Sequence, residues 1–221
     1  GYVIYKKYEE EISSKVLESG IFNSDSKNTL GRIQDDFIKM RMAEAISALK
    51  ISSLSMNKKG RSALYCLPWF AVIGPPANGK STLLRNSGLK FPFSMDKNDN
   101  YNIKGIGGTR NCDWWFSDSA VFLDTAGRYT QCKNDIDKNE WFSFLSSLKK
   151  SRPKAPLNGI IVTLGLTDLM AKNHEELKET VSVVSSRISE LYQKLGHLIP
   201  VYFVFTKTDR IQGFDNFFSR M

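Results

Sequence analysis

Phe70-Ala71-Val72-Ile73-Gly74-Pro75-Pro76-Ala77-Asn78-Gly79-Lys80-Ser81-Thr82-Leu83-Leu84-Arg85-Asn86-Ser87-Gly88 carries three signals in one unbroken run. Four apolar residues bounded by glycine predict a short buried strand. The segment from Ser81 to Ser87 reads as a helix closed by Gly88. Between them, two glycines five positions apart mark a loop whose backbone has to bend sharply.

Strand, G-x-x-x-x-G-K-S, helix is the arrangement of a P-loop, and the chemistry explains the spacing. The glycines let the loop Gly74, Pro75, Pro76, Ala77, Asn78 and Gly79 curl around phosphate oxygens, with the N–H groups of its non-proline residues pointing inward. Lys80 then reaches the β and γ phosphates and the Ser81 hydroxyl ligates Mg2+, with Thr82 a further candidate nucleotide-binding residue.

Working outward, Val121-Phe122-Leu123 predicts a strand ending in Asp124-Thr125-Ala126-Gly127. There the Asp124 carboxylate can hold Mg2+ through water and the Gly127 N–H can sense a γ-phosphate. It follows Lys80 by about 44 residues, a GTPase-like separation, although Asp-x-x-Gly is also an ordinary strand-to-turn pattern. Asn111 to Phe116, joined to this strand by Ser117-Asp118-Ser119, predicts an antiparallel hairpin. Trp114 and Trp115 would then point to opposite faces, with burial under flanking helices favoured over a partner contact. Thr109, before the hairpin, is a candidate switch threonine that completes the magnesium shell; the alternative is a flexible glycine turn at Gly107-Gly108.

Val201 to Phe205 predicts a strand ending in Thr206-Lys207-Thr208-Asp209. Thr-Lys-x-Asp matches a guanine-recognition element whose Asp209 would accept two hydrogen bonds from the guanine edge. GTP is favoured over ATP on this ground. Gly159 to Leu164 predicts another buried strand, and Leu177, Val181, Val184, Ile188, Leu191 and Leu195 form the apolar stripe of a covering helix. His174 and His197 lack metal-ligand spacing.

The fold class that follows is α/β, a Ras-like P-loop NTPase with a mostly parallel sheet flanked by helices. Its expected span is 67–221. Residues 1–66 read as a helical extension and linker, with Leu30, Ile33, Phe37, Met40, Ile46 and Leu49 on one stripe and a polar stretch from Ser52 to Ser62. The opening Gly1-Tyr2-Val3-Ile4-Tyr5-Lys6-Lys7 has the order expected at the cytoplasmic exit of a membrane helix, and equally that of a simple helix start.

The 221 residues hold 41% hydrophobic and 24% charged side chains, a soluble globular balance. No run approaches the roughly 18 uncharged apolar residues of a membrane span. Cys66, Cys112 and Cys132 are unpatterned, fitting free thiols in a reducing compartment better than disulfides or a metal. The formal charge of +8 is spread along the chain, so nucleic acid is not an expected partner.

Turnover is expected to be slow. Arg128 occupies the position after Gly127 where Ras-type enzymes place a water-orienting glutamine, and a guanidinium accepts nothing from water. Asp-Thr-Ala-Gly-Arg with Thr-Lys-x-Asp also occurs in signal-recognition-particle GTPases, which complete their site by pairing with a second GTPase. Arg128 or Arg110 is a candidate for stabilising transition-state charge in cis, against the commoner role of an ion-paired surface residue. Lys80, Thr109 and Arg128 are thus the candidate catalytic residues, and Ser81, Thr109 and Asp124 the candidate metal ligands.

Leu67-Pro68-Trp69-Phe70, Leu83 to Leu89, Gly108-Thr109-Arg110-Asn111-Cys112-Asp113-Trp114-Trp115-Phe116, Asp124-Thr125-Ala126-Gly127-Arg128-Tyr129 and Thr206-Lys207-Thr208-Asp209 together resemble the cytoplasmic domain of the TssM/IcmF family. The resemblance is dense over residues 67 to 221; residues 1 to 66 agree only as a basic helical stretch that follows a membrane hairpin. It implies an inner-membrane component of a type VI secretion system, or of a Dot/Icm type IV relative, with this domain on the cytoplasmic face. TssL, TssJ and baseplate components are the implied partners, in a homo-oligomeric envelope-spanning complex. Members using ATP, and members without a P-loop, keep ATP and a non-hydrolysing scaffold open beside a slow GTPase switch. The sequence ends soon after Asp209, so the later loop that packs on guanine in complete GTPases falls outside it.

Overall fold

The computed structural model describes residues 43, 46–47, 60–91, 93–94 and 112–218. Among these residues, six strands form one sheet: β1 (Trp69–Ile73), β2 (Phe93–Ser94), β3 (Cys112–Phe116), β4 (Val121–Thr125), β5 (Gly159–Gly165) and β6 (Val201–Thr206), in the order β2-β3-β4-β1-β5-β6. β1 runs parallel to β4 and β5, and β5 runs parallel to β6, while β3 and β4 form the expected antiparallel hairpin with Trp114 opposite Leu123. A mixed α/β sheet results. Its central strands are largely apolar because helices lie against it.

The helices whose bounds lie among the described residues are α1 (Lys80–Arg85), α2 (Gly127–Gln131), α3 (Asp135–Ser151), α4 (Leu166–Met170), α5 (His174–Leu195) and α6 (Phe214–Phe218). Local chemistry fixes the two long ones. The Asn134 side chain caps α3 by accepting from the Asp137 N–H, with Asp135 and Asp137 in its first turn and Lys149 and Lys150 in its last. Asn173 and Glu176 form a reciprocal capping box on α5, and Gly196 ends it at φ 73°.

The main core lies on the face covered by α3 and α5, and includes Trp69, Trp114, Leu123, Trp141, Leu145, Ile160, Leu191 and Leu195. Val72, Leu84, Ala120 and Phe122 form a smaller cluster that Trp115 and Phe91 pack against. The two adjacent tryptophans therefore do serve opposite faces: Trp114 is buried, and Trp115 is half-buried against Phe91 at a ring separation of 5.1 Å.

Two expectations need correction. The helix after the glycine-rich loop ends at Arg85 with Asn86 as its cap, short of Gly88, because the Ser87 N–H and hydroxyl both turn back onto the Leu84 carbonyl. Val181 is 67% exposed, since only the part of α5 from Val184 onward lies against the core, and Arg187 takes a buried position in the stripe. β6 is the sheet's edge, so Tyr202, Phe203 and Phe205 keep about half their surface in water.

Of the extension, Ala43, Ile46 and Ser47 are helical, Ile46 packs against the main core, and Leu64 in a 3-10 turn at Gly60–Tyr65 is fully part of it. Leu30, Ile33, Phe37, Met40 and Leu49 lie outside the described residues, as do Thr109 and Arg110. Among the described residues no helix is long and apolar enough to cross a membrane.

Candidate functional site

The loop from Gly74 to Gly79 sits at the carboxyl end of β1, and its shape is set by residues that only the fold brings near. Gly74 lies against β5: a Cβ there would stand 2.3 Å from Thr163 Oγ1 and 2.5 Å from the Thr163 carbonyl oxygen. Its N–H donates to Thr130 Oγ1 of α2 at 3.0 Å. The buried Asn78 amide donates to the Thr163 carbonyl at 3.2 Å, and the Asn78 carbonyl accepts from Thr206 Oγ1 at 2.7 Å. Ala77 and Gly79 both take left-handed backbone conformations, at φ 59° and 76°, which turn the chain into α1. Pro76, Ala77 and Thr82 form the exposed outer rim.

Lys80 folds back over this loop. Its Nζ donates to the carbonyls of Gly74 at 2.9 Å and Pro75 at 3.0 Å, and the residue is 7% exposed. Burial lowers the ammonium's pKa, and the nearby Asp124 carboxylate partly opposes that. Ser81 Oγ donates to Asp124 Oδ2 at 2.5 Å across the gap between α1 and β4, bringing together two oxygen donors proposed from separate stretches of sequence. Asp124 is fully buried. Its neighbour Thr125 is spent structurally, donating to the Val72 carbonyl at 2.8 Å.

Gly127 starts α2 directly against the loop. A Cβ on it would meet Pro76 Cα and N at 2.5 Å and the Pro75 carbonyl carbon at 2.9 Å, so at this point the two segments meet backbone to backbone. Any shift of the loop is therefore felt by α2.

Arg128, the next residue, is held by α3. Nη1 pairs with Asp137 Oδ1 at 2.6 Å and Nη2 with Glu140 Oε2 at 2.5 Å, and the buried Tyr129 hydroxyl donates to the same Glu140 oxygen at 2.8 Å. Burial alone would lower the guanidinium's pKa, but the bonds from Glu140 and Asp137 outweigh it and hold the group above its ordinary value. Burial, then the Glu140 charge, likewise raises the Tyr129 phenol. Of the two roles expected for Arg128, the ion-paired one is the one that the geometry displays. Glu140→Gln keeps the size and removes the charge. It is expected to lower stability by about 1 to 2 kcal/mol, a buried-pair loss reduced because the Arg128 side chain is 33% exposed, and urea titration measures it.

At the end of β6, Thr206 joins the loop as above, Lys207 pairs with Asp168 at 2.6 Å, and Asp209 is exposed in a 3-10 turn at Thr208–Arg210. Gly74 to Ser81, Asp124, Gly127 and Thr206 thus converge on one crevice, with Lys207 in the segment that leaves it. Sequence reasoning missed Thr130, Thr163 and Asp168. Each acts through a partner between 39 and 90 positions away, and only the strand pairing brings such pairs together.

A family model described as the IcmF-related N-terminal domain matches residues 134–221. A Pseudomonas aeruginosa protein, type VI secretion system component TssM1, is 44% identical over 186 residues, which is 83% of this chain. The chain spans 17% of that relative's length.

Proposed function

The chain belongs to the TssM/IcmF family, and on that premise we propose that residues 67–221 bind a nucleoside triphosphate with Mg2+ as a slow switch within a type VI secretion component of the bacterial inner membrane. The observation that carries this reading is the Ser81–Asp124 hydrogen bond of 2.5 Å beside Lys80. A hydroxyl from the loop helix, a buried carboxylate from the adjacent strand and a lysine are the side chains that a phosphate-bound magnesium ion needs.

The topology supports it. From β1 the chain goes to β2, β3 and β4 on one side and then returns past β1 to β5 on the other, so the loop after β1 lies where the winding reverses. In open α/β sheets the crevice at the carboxyl ends of strands, at such a reversal, is the usual ligand site. Lys80 is tethered to carbonyls of the loop itself, so it can exchange them for phosphate oxygens with a short swing of its side chain. Ser81 and Asp124 would hold Mg2+, which neutralises charge on the phosphates when bound. Gly127, in backbone contact with Pro76, would pass the loop's state to α2. Thr206 and Asp209 would flank the base, and the two acceptor oxygens of Asp209 favour GTP over ATP.

One observation favours binding with little hydrolysis. Arg128 stands where a water-orienting glutamine would be, and two carboxylates hold its guanidinium, so its use in catalysis requires release of both. Thr109 is proposed as the switch threonine. The cytoplasmic face, a homo-oligomeric assembly, and contacts with TssL, TssJ and baseplate components are proposals that rest on the family resemblance.

The test is fluorescence titration with labelled GTP, GDP, ATP and ADP plus Mg2+. Lys80→Ala is expected to weaken triphosphate binding by about a hundredfold, with a smaller effect on diphosphate, as befits removal of a charge-assisted hydrogen bond inside a crevice. Equal affinity of the variant and the parent would refute the proposal.

A further inference from the structure

Two non-glycine residues near the crevice take left-handed backbone, Ala77 in the loop and Lys207 beyond β6, the latter at φ 59° and ψ 27°. A long side chain gains nothing locally from the left-handed region, so something outside the residue holds it there. The holder is Asp168. Its Oδ2 takes the Lys207 ammonium at 2.6 Å, and the lysine side chain is 17% exposed against 42% for the aspartate.

The fit beneath this pair is close. A Cβ at Gly165 would fall 2.2 Å from Asp168 Oδ2 and 3.3 Å from Lys207 Cδ, so the carboxylate and the lysine stem both lie against bare backbone at the end of β5. On one side, Thr206 is tied to Asn78 of the glycine-rich loop. On the other, the Asp209 side chain stands exposed with no hydrogen bond to any described residue. Among the described residues, the side-chain anchor between a fixed Thr206 and Asp209 is therefore the Lys207–Asp168 pair.

We infer that Asp168 is a positioning residue for nucleobase selectivity: by holding Lys207 against Gly165 it aims the Asp209 carboxylate at the base edge. This rests on the nucleotide reading above. Two acceptor oxygens at fixed direction select an edge with two adjacent donors, the N1–H and 2-amino group of guanine. Inosine has only the first donor, and adenine lacks the pair.

The experiment is displacement of labelled GDP from the 221-residue chain by GDP, IDP, ADP and tripolyphosphate, in wild type, Asp168→Asn, Lys207→Met and the double variant. The preference for GDP over IDP is expected to fall about tenfold in either single variant, while tripolyphosphate competes within about twofold of wild type. The double variant should lose no more than either single one, because the two side chains act as one unit. An unchanged GDP/IDP ratio in both single variants overturns the inference, and so does an equal loss for tripolyphosphate, which would mean damage to the whole crevice. A wild-type preference for ADP also overturns it but leaves nucleotide binding standing. Absence of any binding by wild type removes the reading and the inference together.

Discussion

Gly74→Ala is expected to lower the stability of the domain by about 3 kcal/mol or more, and to abolish whatever the crevice binds. The added methyl would meet Thr163 Oγ1 at 2.3 Å and the Thr163 carbonyl oxygen at 2.5 Å. Rotating the threonine relieves only the first clash. The second is with backbone of β5, a central strand bonded on both sides to β1 and β6, and it has no room to retreat. Nor can the loop lift away freely, because Gly74 is also held by Thr130 and Asn78 by Thr163. At φ 157° the residue sits in a region that L side chains rarely adopt, which adds to the cost. Urea denaturation reads the effect, with an unchanged m-value expected because the surface exposed on unfolding is the same. Thr163→Ala in the same chain should recover only part of it. A loss below about 1 kcal/mol would show that the loop is not anchored as described. Gly88 and Gly213 provide the contrast: their φ values of 75° and 84° disfavour alanine, but the space around each is open, so only a conformational cost applies there.

What the sequence reveals about this domain follows the range of the interactions. The loop between β1 and α1, the β3–β4 hairpin, β5, β6 and the apolar stripe of α5 are written in neighbouring residues, through apolar runs and glycines. The convergence of Ser81 with Asp124 is also legible, because the two motifs have meaning only as a pair. Arg128 is different. Its position after Gly127 suggests chemistry, yet Asp137 and Glu140, one helix further on, have the charge and spacing to claim it. Val181 continues an apolar stripe that the packing does not use, since periodicity gives a face and not the extent of that face that is covered. Asp168 and Arg152 are silent for a further reason: each depends on side chains from strands and turns far apart in sequence, and no local pattern records which strands are neighbours.

Arg152 leads to the second large effect, at the opposite end of β1 from the crevice. Trp69→Ala is expected to destabilise the domain by about 5 kcal/mol, a sizeable part of the stability of a typical domain. Trp69 is fully buried and meets Trp114 edge-on at 5.1 Å. Its ring also carries the Arg152 guanidinium at 4.4 Å, with Tyr65 5.0 Å from the same group. That cation is 1% exposed, and its bonds to described residues go to the Pro156 carbonyl and the Asn158 side chain at 3.3 to 3.4 Å, with no carboxylate among them. Burial lowers its pKa to about 10, so it remains charged at neutral pH and depends on the rings for much of its compensation. Asn158 in turn is fixed by Trp69, its side chain accepting from the Trp69 N–H and its own N–H donating to the Trp69 carbonyl.

Removing the indole thus leaves both a cavity and a buried cation with one ring fewer. The two contributions are separable. Trp69→Phe keeps an aromatic face and should cost about 1 to 2 kcal/mol, while Arg152→Met removes the charge and keeps most of the stem. In a double-mutant cycle of Trp69→Ala with Arg152→Met, the loss should fall short of the sum of the singles by about 1 kcal/mol or more, since the alanine no longer strands a charge. Strict additivity would mean that Trp69 acts by packing alone, and that the guanidinium draws its compensation from Tyr65 and the 156–158 turn.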